Sequence, residues 1–329
     1  MRPRVFVTQP IAASALERLR GLADVRFNPD PVHIATRDEL VAAVRESDIL
    51  FCLLHDTVDE PVIAANAKLA AVASMKIEPT GIDIAAATAR RIPVTVIPPI
   101  VGEATADLHM GLLIAVARRM LEGDRAVRAG VFPGGQSRHF EGAGVFGKTI
   151  GLIGGGGRIG RAVAKRAQGF SMRTLYWTPR RKSEAEEREW GLEYAPFDEL
   201  LARSDFVSVH ASLLPETRHL LGERELGLMK PTAFLVNTAR GPIVDEKALV
   251  RALQAKRIAG AGLDVFEREP QVEAALLAMP NVVLTPHLGS AVAELRVTMA
   301  HIVVDNIAAV LDGRRPPNCV NPEIYDHHP

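Results

Sequence analysis

Short apolar runs alternate with helix-like segments along the first hundred residues. Val, Ile, Leu and Ala dominate the runs, which predict strands at 5–8, 49–53, 70–74 and 94–96. Apolar residues at helical spacing predict helices at 11–19 and 61–67. Strands that alternate with helices form parallel sheets covered on both faces, so we expect an α/β domain here.

The pattern changes after residue 100 and then starts again. A long helical run is predicted at 103–121, and the glycine-rich stretch 128–147 predicts an irregular arm at a subunit contact. A second alternation follows, with helices at 158–168, 246–254 and 291–311. Its six predicted strands are at 149–153, 173–177, 206–209, 233–236, 259–263 and 282–284.

These two alternations predict an α/β protein with two Rossmann-like, doubly wound parallel sheets. The last helix would return the chain to the first domain. We therefore expect a flavodoxin-like domain at 1–102, completed by 291–329, and a dinucleotide-binding domain at 103–290.

Composition narrows the class of protein. A chain of 329 residues with 47% apolar and 24% charged residues is long enough for two packed domains. The 39 basic residues balance the 39 acidic ones, so we expect neither nucleic acid nor an anionic membrane as partner. Two distant cysteines, Cys52 and Cys319, and a start without an apolar leader predict a cytoplasmic protein without a disulfide framework.

A glycine loop follows the first strand of the second domain. Gly155, Gly157 and Gly160 fit the dinucleotide fingerprint between a strand and a helix, where small residues let a pyrophosphate approach the helix N-terminus. The alternative is a flexible turn without a ligand. One glycine more than the fingerprint needs leaves open whether Gly154 or Gly155 makes the turn.

The next strand ends where a carboxylate often binds a ribose 2′-hydroxyl. Thr178 occupies that place, and Arg180, Arg181 and Lys182 follow closely. A neutral residue backed by cations suits a 2′-phosphate, so the sequence predicts a preference for NADPH, with NADH also possible. The alternative is a solvated basic start to an acidic helix.

Three polar residues follow predicted strands of the second sheet: Arg240, Glu269 and His287. The carboxyl ends of parallel strands line one crevice, so the three side chains can converge. An imidazole can donate a proton to a carbonyl oxygen, a carboxylate can orient it, and a guanidinium can bind a substrate carboxylate. Taken one at a time, each residue has an alternative without a function. Arg240 could bind neighbouring backbone carbonyls, Glu269 could be solvated, and His287 could be a hydrogen-bonded loop histidine.

Five stretches in order resemble the D-isomer-specific 2-hydroxyacid dehydrogenases, especially the glyoxylate/hydroxypyruvate reductases. They are GKTIGLIGGGGRIGRAVA, SDFVSVHASLLPETRHLL, NTARGPIVDEKALVRAL, GLDVFEREP and NVVLTPHLGS. The resemblance implies an NAD(P)-dependent reductase in which Arg240 binds substrate and Glu269 pairs with His287, the acid/base. It further implies a cofactor site that includes Thr105, Arg158, Ile159, Thr238, Ala239 and Asp264.

The first domain departs from the family pattern. Where the family usually carries Gly-x-Asp, this chain has Glu78-Pro79-Thr80. A carboxylate there would repel a substrate carboxylate unless it points away, pairs with Lys76 or accepts a substrate hydroxyl. We expect Leu54, Ile77 and Glu78 near the substrate, with Glu78 affecting which substrate binds.

Two other functions remain open at this level. One is a nucleotide-sensing binding module of the same fold, and the other is phosphite oxidation on the same scaffold. The histidines show no paired spacing with acidic or thiol ligands, so no metal site is predicted. We expect a homodimer that acts on a small 2-keto or 2-hydroxy acid.

Overall fold

A computed structural model describes residues 2–135 and 138–326. The described residues of Met1–Ile100 and Ala291–Pro329 form one compact unit, and those of Val101–Ser290 form a second. No helix in the described part of the chain is both long and apolar enough to cross a bilayer. Gln136 and Ser137, within the predicted arm, lie outside the described residues.

The first unit is built on a five-stranded parallel sheet. Its strands are β1 (Arg4–Val7), β2 (Asp24–Phe27), β3 (Ile49–Cys52), β4 (Ala71–Ser74) and β5 (Val94–Thr95). Their order, β2-β1-β3-β4-β5, is the flavodoxin-like one. Four helices connect the strands: α1 (Ala13–Leu22), α2 (Arg37–Arg45), α3 (Glu60–Ala64) and α4 (Ile84–Ala89).

The second unit contains a seven-stranded parallel sheet. Its strands are β6 (Thr149–Ile153), β7 (Arg173–Trp177), β8 (Glu193–Tyr194), β9 (Phe206–Val209), β10 (Phe234–Asn237), β11 (Gly260–Leu263) and β12 (Val282–Leu284). The order β12-β11-β10-β9-β6-β7-β8 is the Rossmann arrangement with one added strand. Apolar clusters on both faces of the sheet form the core.

The described residues of the second unit form eight α-helices. They are α5 (Gly102–Ala117), α6 (Met120–Arg128), α7 (Arg158–Gly169), α8 (Glu184–Trp190), α9 (Phe197–Arg203), α10 (Glu223–Leu228), α11 (Glu246–Gln254) and α12 (Ala274–Leu277). Helix α5 packs on β10, β11 and β12 and against α7. The side chains of α5 therefore pack on the half of the sheet that β10, β11 and β12 form.

A last helix, α13 (Ala293–Leu311), packs against α1 and β4 and completes the first unit. The chain beyond it covers the open edge of β5. Val96 donates its N–H to the carbonyl of Asn318, and Val320 donates to the carbonyl of Val94. Asn321 is fully buried and accepts the N–H of Val94 through its side chain. Residues 318–321 thus occupy the position of a further strand.

The prediction of two doubly wound parallel sheets is confirmed, with corrections in detail. The single helix predicted at 103–121 is wrong, because Arg119 adopts a left-handed conformation (φ 52°) that separates α5 from α6. Two strands were missed, β2 and β8. Both lie at sheet edges and expose part of their side chains, so they lack the apolar run typical of a central strand.

Candidate active site

The glycine loop joins β6 to α7 in the second unit. Gly154 makes the turn, with φ 84°, and a Cβ there would lie 2.7 Å from the carbonyl carbon of His210. Gly157 is the N-cap of α7, and Arg158 and Ile159 begin the helix. The loop and the first N–H groups of α7 form a cradle that fits a pyrophosphate.

The basic segment after β7 is divided between two environments. The Thr178 hydroxyl donates to the carbonyl of Arg180, whose side chain is exposed. The guanidinium of Arg181 makes two hydrogen bonds to Glu187, at 2.8 and 2.9 Å. Lys182 packs on the glycine loop, since a Cβ on Gly156 would lie 2.7 Å from its Cε. Its ammonium lies 3.8 Å from Glu186 Oε1, so Lys182 and Arg181 both pair with carboxylates of α8, whereas the Arg180 side chain is exposed.

Arg240 lies in a tight loop after β10. The Asn237 side chain donates to the carbonyl of Arg240 at 3.1 Å and accepts the N–H of Ala239 at 3.0 Å. The Arg240 guanidinium donates to the carbonyl of Ala239. A Cβ on Gly241 would lie 1.9 Å from the backbone of Phe266, so this loop packs directly on the loop that follows β11.

Glu269 and His287 form the central pair of the site. His287 Nδ1 lies 2.8 Å from Glu269 Oε2, and both side chains are 19% exposed. Glu269 Oε1 accepts the N–H of Phe266, which fixes the carboxylate on its own loop. Because Nδ1 is engaged, Nε2 is the nitrogen of His287 that can exchange a proton with a ligand.

Asp264 holds the turn that carries His287. Its carboxylate accepts the Thr285 hydroxyl at 2.6 Å and the N–H groups of Leu288 and Gly289 at 2.6 and 2.9 Å. Burial raises the pKa of Asp264. His287 has φ 55°, a left-handed conformation that is uncommon for a residue with a Cβ and is often found at functional sites.

Thr105, on α5, stabilises the turn that carries His287. Its hydroxyl lies on the buried face of α5 and contacts the carbonyls of Val101 at 2.9 Å and Gly289 at 3.2 Å. Within the second unit the structure thus brings the loops of Arg240, Glu269 and His287 to the carboxyl edge of one sheet. The glycine loop lies at that edge too, because it follows β6, the strand that is paired with β9.

The first unit places Leu54, Ile77 and Glu78 after β3 and β4, at the carboxyl edge of its own sheet. Lys76 is buried, and its ammonium donates to the carbonyls of Asp56 at 2.8 Å and Thr80 at 2.7 Å. Burial lowers the pKa of Lys76. These bonds connect the two loops that follow β3 and β4, so Lys76 stabilises the segment that contains Ile77 and Glu78.

A buried polar chain escaped the sequence analysis. His109 on α5 lies 2.9 Å from the Thr238 hydroxyl through Nδ1 and 2.6 Å from the Ser208 hydroxyl through Nε2. Ser208 also lies 2.7 Å from His210 Nε2. His109 and Ser208 are fully buried, and the two imidazole centroids are 4.7 Å apart. The signal in the sequence was a histidine within an apolar helix.

Burial keeps both imidazoles neutral. It lowers the pKa of His210 to about 3 and that of His109 well below its ordinary value. In the unfolded chain each would titrate near 6.5. The unfolded state therefore binds more protons below pH 6.5, and stability must fall as the pH decreases from there.

We expect the free energy of unfolding of the second unit to be nearly constant above about pH 7.5. Between pH 6 and pH 5 it should fall by up to about 1.4 kcal/mol per pH unit for each histidine. Urea unfolding followed by tryptophan fluorescence measures this, because Trp177 and Trp190 both lie in the second unit. H210N should reduce the slope, and H139Q, at an exposed histidine, should not. An equal slope in H210N would contradict the prediction.

Known proteins resemble this chain in sequence over most of its length. Residues 110–289 match the family model described as "D-isomer specific 2-hydroxyacid dehydrogenase, NAD binding domain". A glyoxylate reductase of Thermococcus litoralis is 45% identical over 333 residues, covering 100% of each chain.

Solved structures of reductases also resemble this chain over nearly its whole length. A glyoxylate reductase of Paecilomyes thermophila has a TM-score of 0.80 at 32% identity, covering 98% of this chain and 99% of its own. An NADPH-dependent glyoxylate/hydroxypyruvate reductase of Sinorhizobium meliloti, in complex with citrate, has a TM-score of 0.77 at 32% identity and covers 100% of each chain.

Proposed function

Since the chain belongs to the D-isomer-specific 2-hydroxyacid dehydrogenase family, it is an NAD(P)-dependent oxidoreductase, and we propose that it reduces glyoxylate or hydroxypyruvate to the D-2-hydroxy acid with NADPH. The observation that carries the proposal is the 2.8 Å contact between His287 Nδ1 and Glu269. The relatives named above support a small 2-keto acid as substrate.

The reaction follows from the roles of three side chains. When bound, the reduced nicotinamide supplies a hydride for the carbonyl carbon. His287, oriented by Glu269, donates a proton from Nε2 to the carbonyl oxygen as negative charge develops there. Arg240 binds the substrate carboxylate through two parallel hydrogen bonds and holds the carbonyl in place.

The cofactor would occupy the glycine loop of the second unit. Its pyrophosphate would bind the N–H groups at the start of α7, beside Gly157, Arg158 and Ile159. Asp264 would accept a hydrogen bond from the nicotinamide carboxamide while it holds the His287 turn. In the first unit, Leu54, Ile77 and Glu78 would contact the substrate, and Glu78 would favour substrates with a hydroxyl group.

A preference for NADPH is supported by the charges near Thr178. Arg180 is exposed, and Lys182 lies over the glycine loop with its ammonium 3.8 Å from Glu186 Oε1, so both side chains bring positive charge near a ribose 2′-phosphate. Arg181 contributes positive charge, but its guanidinium is bonded to Glu187. A carboxylate that would repel the phosphate is lacking at Thr178 itself.

The test is the oxidation of NADPH and NADH, followed at 340 nm, on addition of glyoxylate or hydroxypyruvate. We expect kcat/KM to be about tenfold higher with NADPH, as one charge-assisted interaction of about 1.4 kcal/mol implies. R180A/K182A should bring the ratio near one, and R188A, at an exposed arginine of α8, should leave it unchanged. Equal values in the wild type would refute the preference, and no oxidation with either cofactor would refute the function.

We also infer that two copies of the chain associate through the second unit. Among the described residues between 120 and 146, several large apolar side chains are exposed, including Val127 (58%), Phe132 (80%) and Phe146 (79%). Exposed apolar surface of this kind is typical of a protein–protein contact. The stretch contains α6 and the arm that the sequence predicted at a subunit contact.

A further inference from the structure

The buried polar chain runs through four residues, Thr238, His109, Ser208 and His210. Its links are 2.9, 2.6 and 2.7 Å long, so every member is within hydrogen-bond distance of the next. Ser208 lies on the same face of β9 as Phe206, which packs into the apolar cluster under α5. A hydroxyl there is stable only if it is hydrogen-bonded, and the two imidazoles supply its partners.

The register of three strands places this chain beneath the glycine loop. Val209 pairs with Ile153 on one side and with Asn237 on the other. Gly154, His210 and Thr238 are therefore the first residues beyond three aligned strand ends. His210 contacts the turn of the glycine loop, and Thr238 lies two residues before Arg240. The buried polar chain thus connects the glycine loop to the loop that contains Arg240, within the second unit.

The number of protons that each group carries decides which atom donates in each hydrogen bond of the buried polar chain. A neutral imidazole has one N–H donor and one acceptor nitrogen, whereas a hydroxyl can both donate and accept. His210 Nδ1 is buried and has no hydrogen-bond partner among the described residues. A buried donor without an acceptor is rarer than a buried acceptor without a donor, so Nδ1 is the unprotonated nitrogen of His210.

The remaining bonds then follow one after another. His210 Nε2–H donates to Ser208, the Ser208 hydroxyl donates to His109 Nε2, and His109 Nδ1–H donates to the Thr238 oxygen. With its oxygen accepting from His109, Thr238 keeps its own hydroxyl proton for another acceptor. Since Thr238 lies at the carboxyl edge, an oxygen of a bound cofactor would be that acceptor.

We propose that His109, Ser208 and His210 are positioning residues that act through Thr238 and keep its hydroxyl oriented as a donor to an oxygen of the nicotinamide half of the cofactor. The inference rests on the proposed function, because it needs a nicotinamide cofactor at this edge. The chain contributes to cofactor affinity and not to binding of the keto acid.

A double-mutant cycle tests the proposal. S208A removes the middle of the chain and T238V removes its end. Each should raise the Kd and KM for NADPH about tenfold, as expected for one lost hydrogen bond, and change the KM for glyoxylate less than twofold. S208A/T238V should be no weaker than T238V alone, because both substitutions interrupt the same chain. T238S should restore wild-type binding.

Ser204 provides the matched control. Ser204 is fully buried and lies two residues before the start of β9, at the opposite end of that strand from His210. Its hydroxyl donates to the carbonyl of Leu200. S204A should leave the Kd for NADPH unchanged. Thermal unfolding checks the fold of each variant. If S208A is destabilised, H210N replaces it in the cycle, with the same lack of additivity expected.

Two results would overturn the inference. One is additive losses, about a hundredfold in S208A/T238V, and the other is wild-type cofactor binding by S208A or T238V. Fluorescence titration with NADPH alone keeps this distinct from the proposed function. A wild-type protein that binds NADPH but reduces no keto acid refutes the function, and a working wild type with a silent S208A refutes only the inference.

Discussion

H287Q is expected to lower kcat for glyoxylate reduction by about 10³-fold, with less than a twofold change in the Kd for NADPH. The magnitude is that of a lost general acid, which contributes about 10²–10⁴-fold. Glutamine keeps a polar side chain beside Glu269 but cannot deliver a proton from the position of Nε2. Steady-state kinetics give kcat, and fluorescence titration gives the Kd.

His219 is a close structural match for the control. It too has a left-handed backbone (φ 53°), and its Nε2 lies 2.8 Å from a carboxylate oxygen of Glu267. H219Q therefore removes a similar contact between an imidazole and a carboxylate from an exposed part of the same unit, and kcat should remain at the wild-type level. If H287Q retained more than a tenth of kcat, or if H219Q fell as far, His287 would not be the proton donor.

R240Q is expected to lower kcat/KM for glyoxylate by about 10³-fold. Removing one partner of a hydrogen-bonded charge pair costs about 2–5 kcal/mol, and here the unpaired partner would be the substrate carboxylate. R240K should recover only part of the loss, because an ammonium cannot make two parallel hydrogen bonds to a carboxylate. The Kd for NADPH should stay within about twofold of the wild type in both variants.

Arg251 offers a control for the loss of positive charge. It lies on the exposed side of α11 and pairs with Glu223. R251Q should not change kcat/KM. Full activity in R240K would show that a point charge is enough, and full activity in R240Q would remove Arg240 from substrate binding.

The central strands of both sheets could be predicted because they are buried on both faces. Thr149–Ile153 and Phe206–Val209 stand out as apolar runs between turn residues, and their bounds were predicted correctly. Edge strands carry a weaker signal. Asp24–Phe27, for example, alternates polar and apolar residues over only four positions. The break at Arg119 has no glycine or proline to mark it.

The site could be predicted as far as its residues follow strand ends. Glu269 and His287 lie within hydrogen-bond distance, as the pattern indicated, although 17 residues stand between them. The bond between Arg181 and Glu187 was not foreseeable, because it depends on how α8 turns back on β7. His109 posed the same difficulty: Ser208, in β9, is 99 residues away and Thr238, just after β10, is 129 residues away, so the contacts depend on how α5 packs on the sheet.

The strand-like cover that residues 318–321 give to β5 also has a consequence for synthesis on the ribosome. The second unit is complete once Ser290 has emerged, whereas the edge of β5 must wait for Asn318 and Val320. During that interval the nascent first unit presents unpaired N–H and carbonyl groups, which can pair with another chain. Until Asn318 and Val320 have emerged, the edge of β5 is therefore open to pairing with another chain.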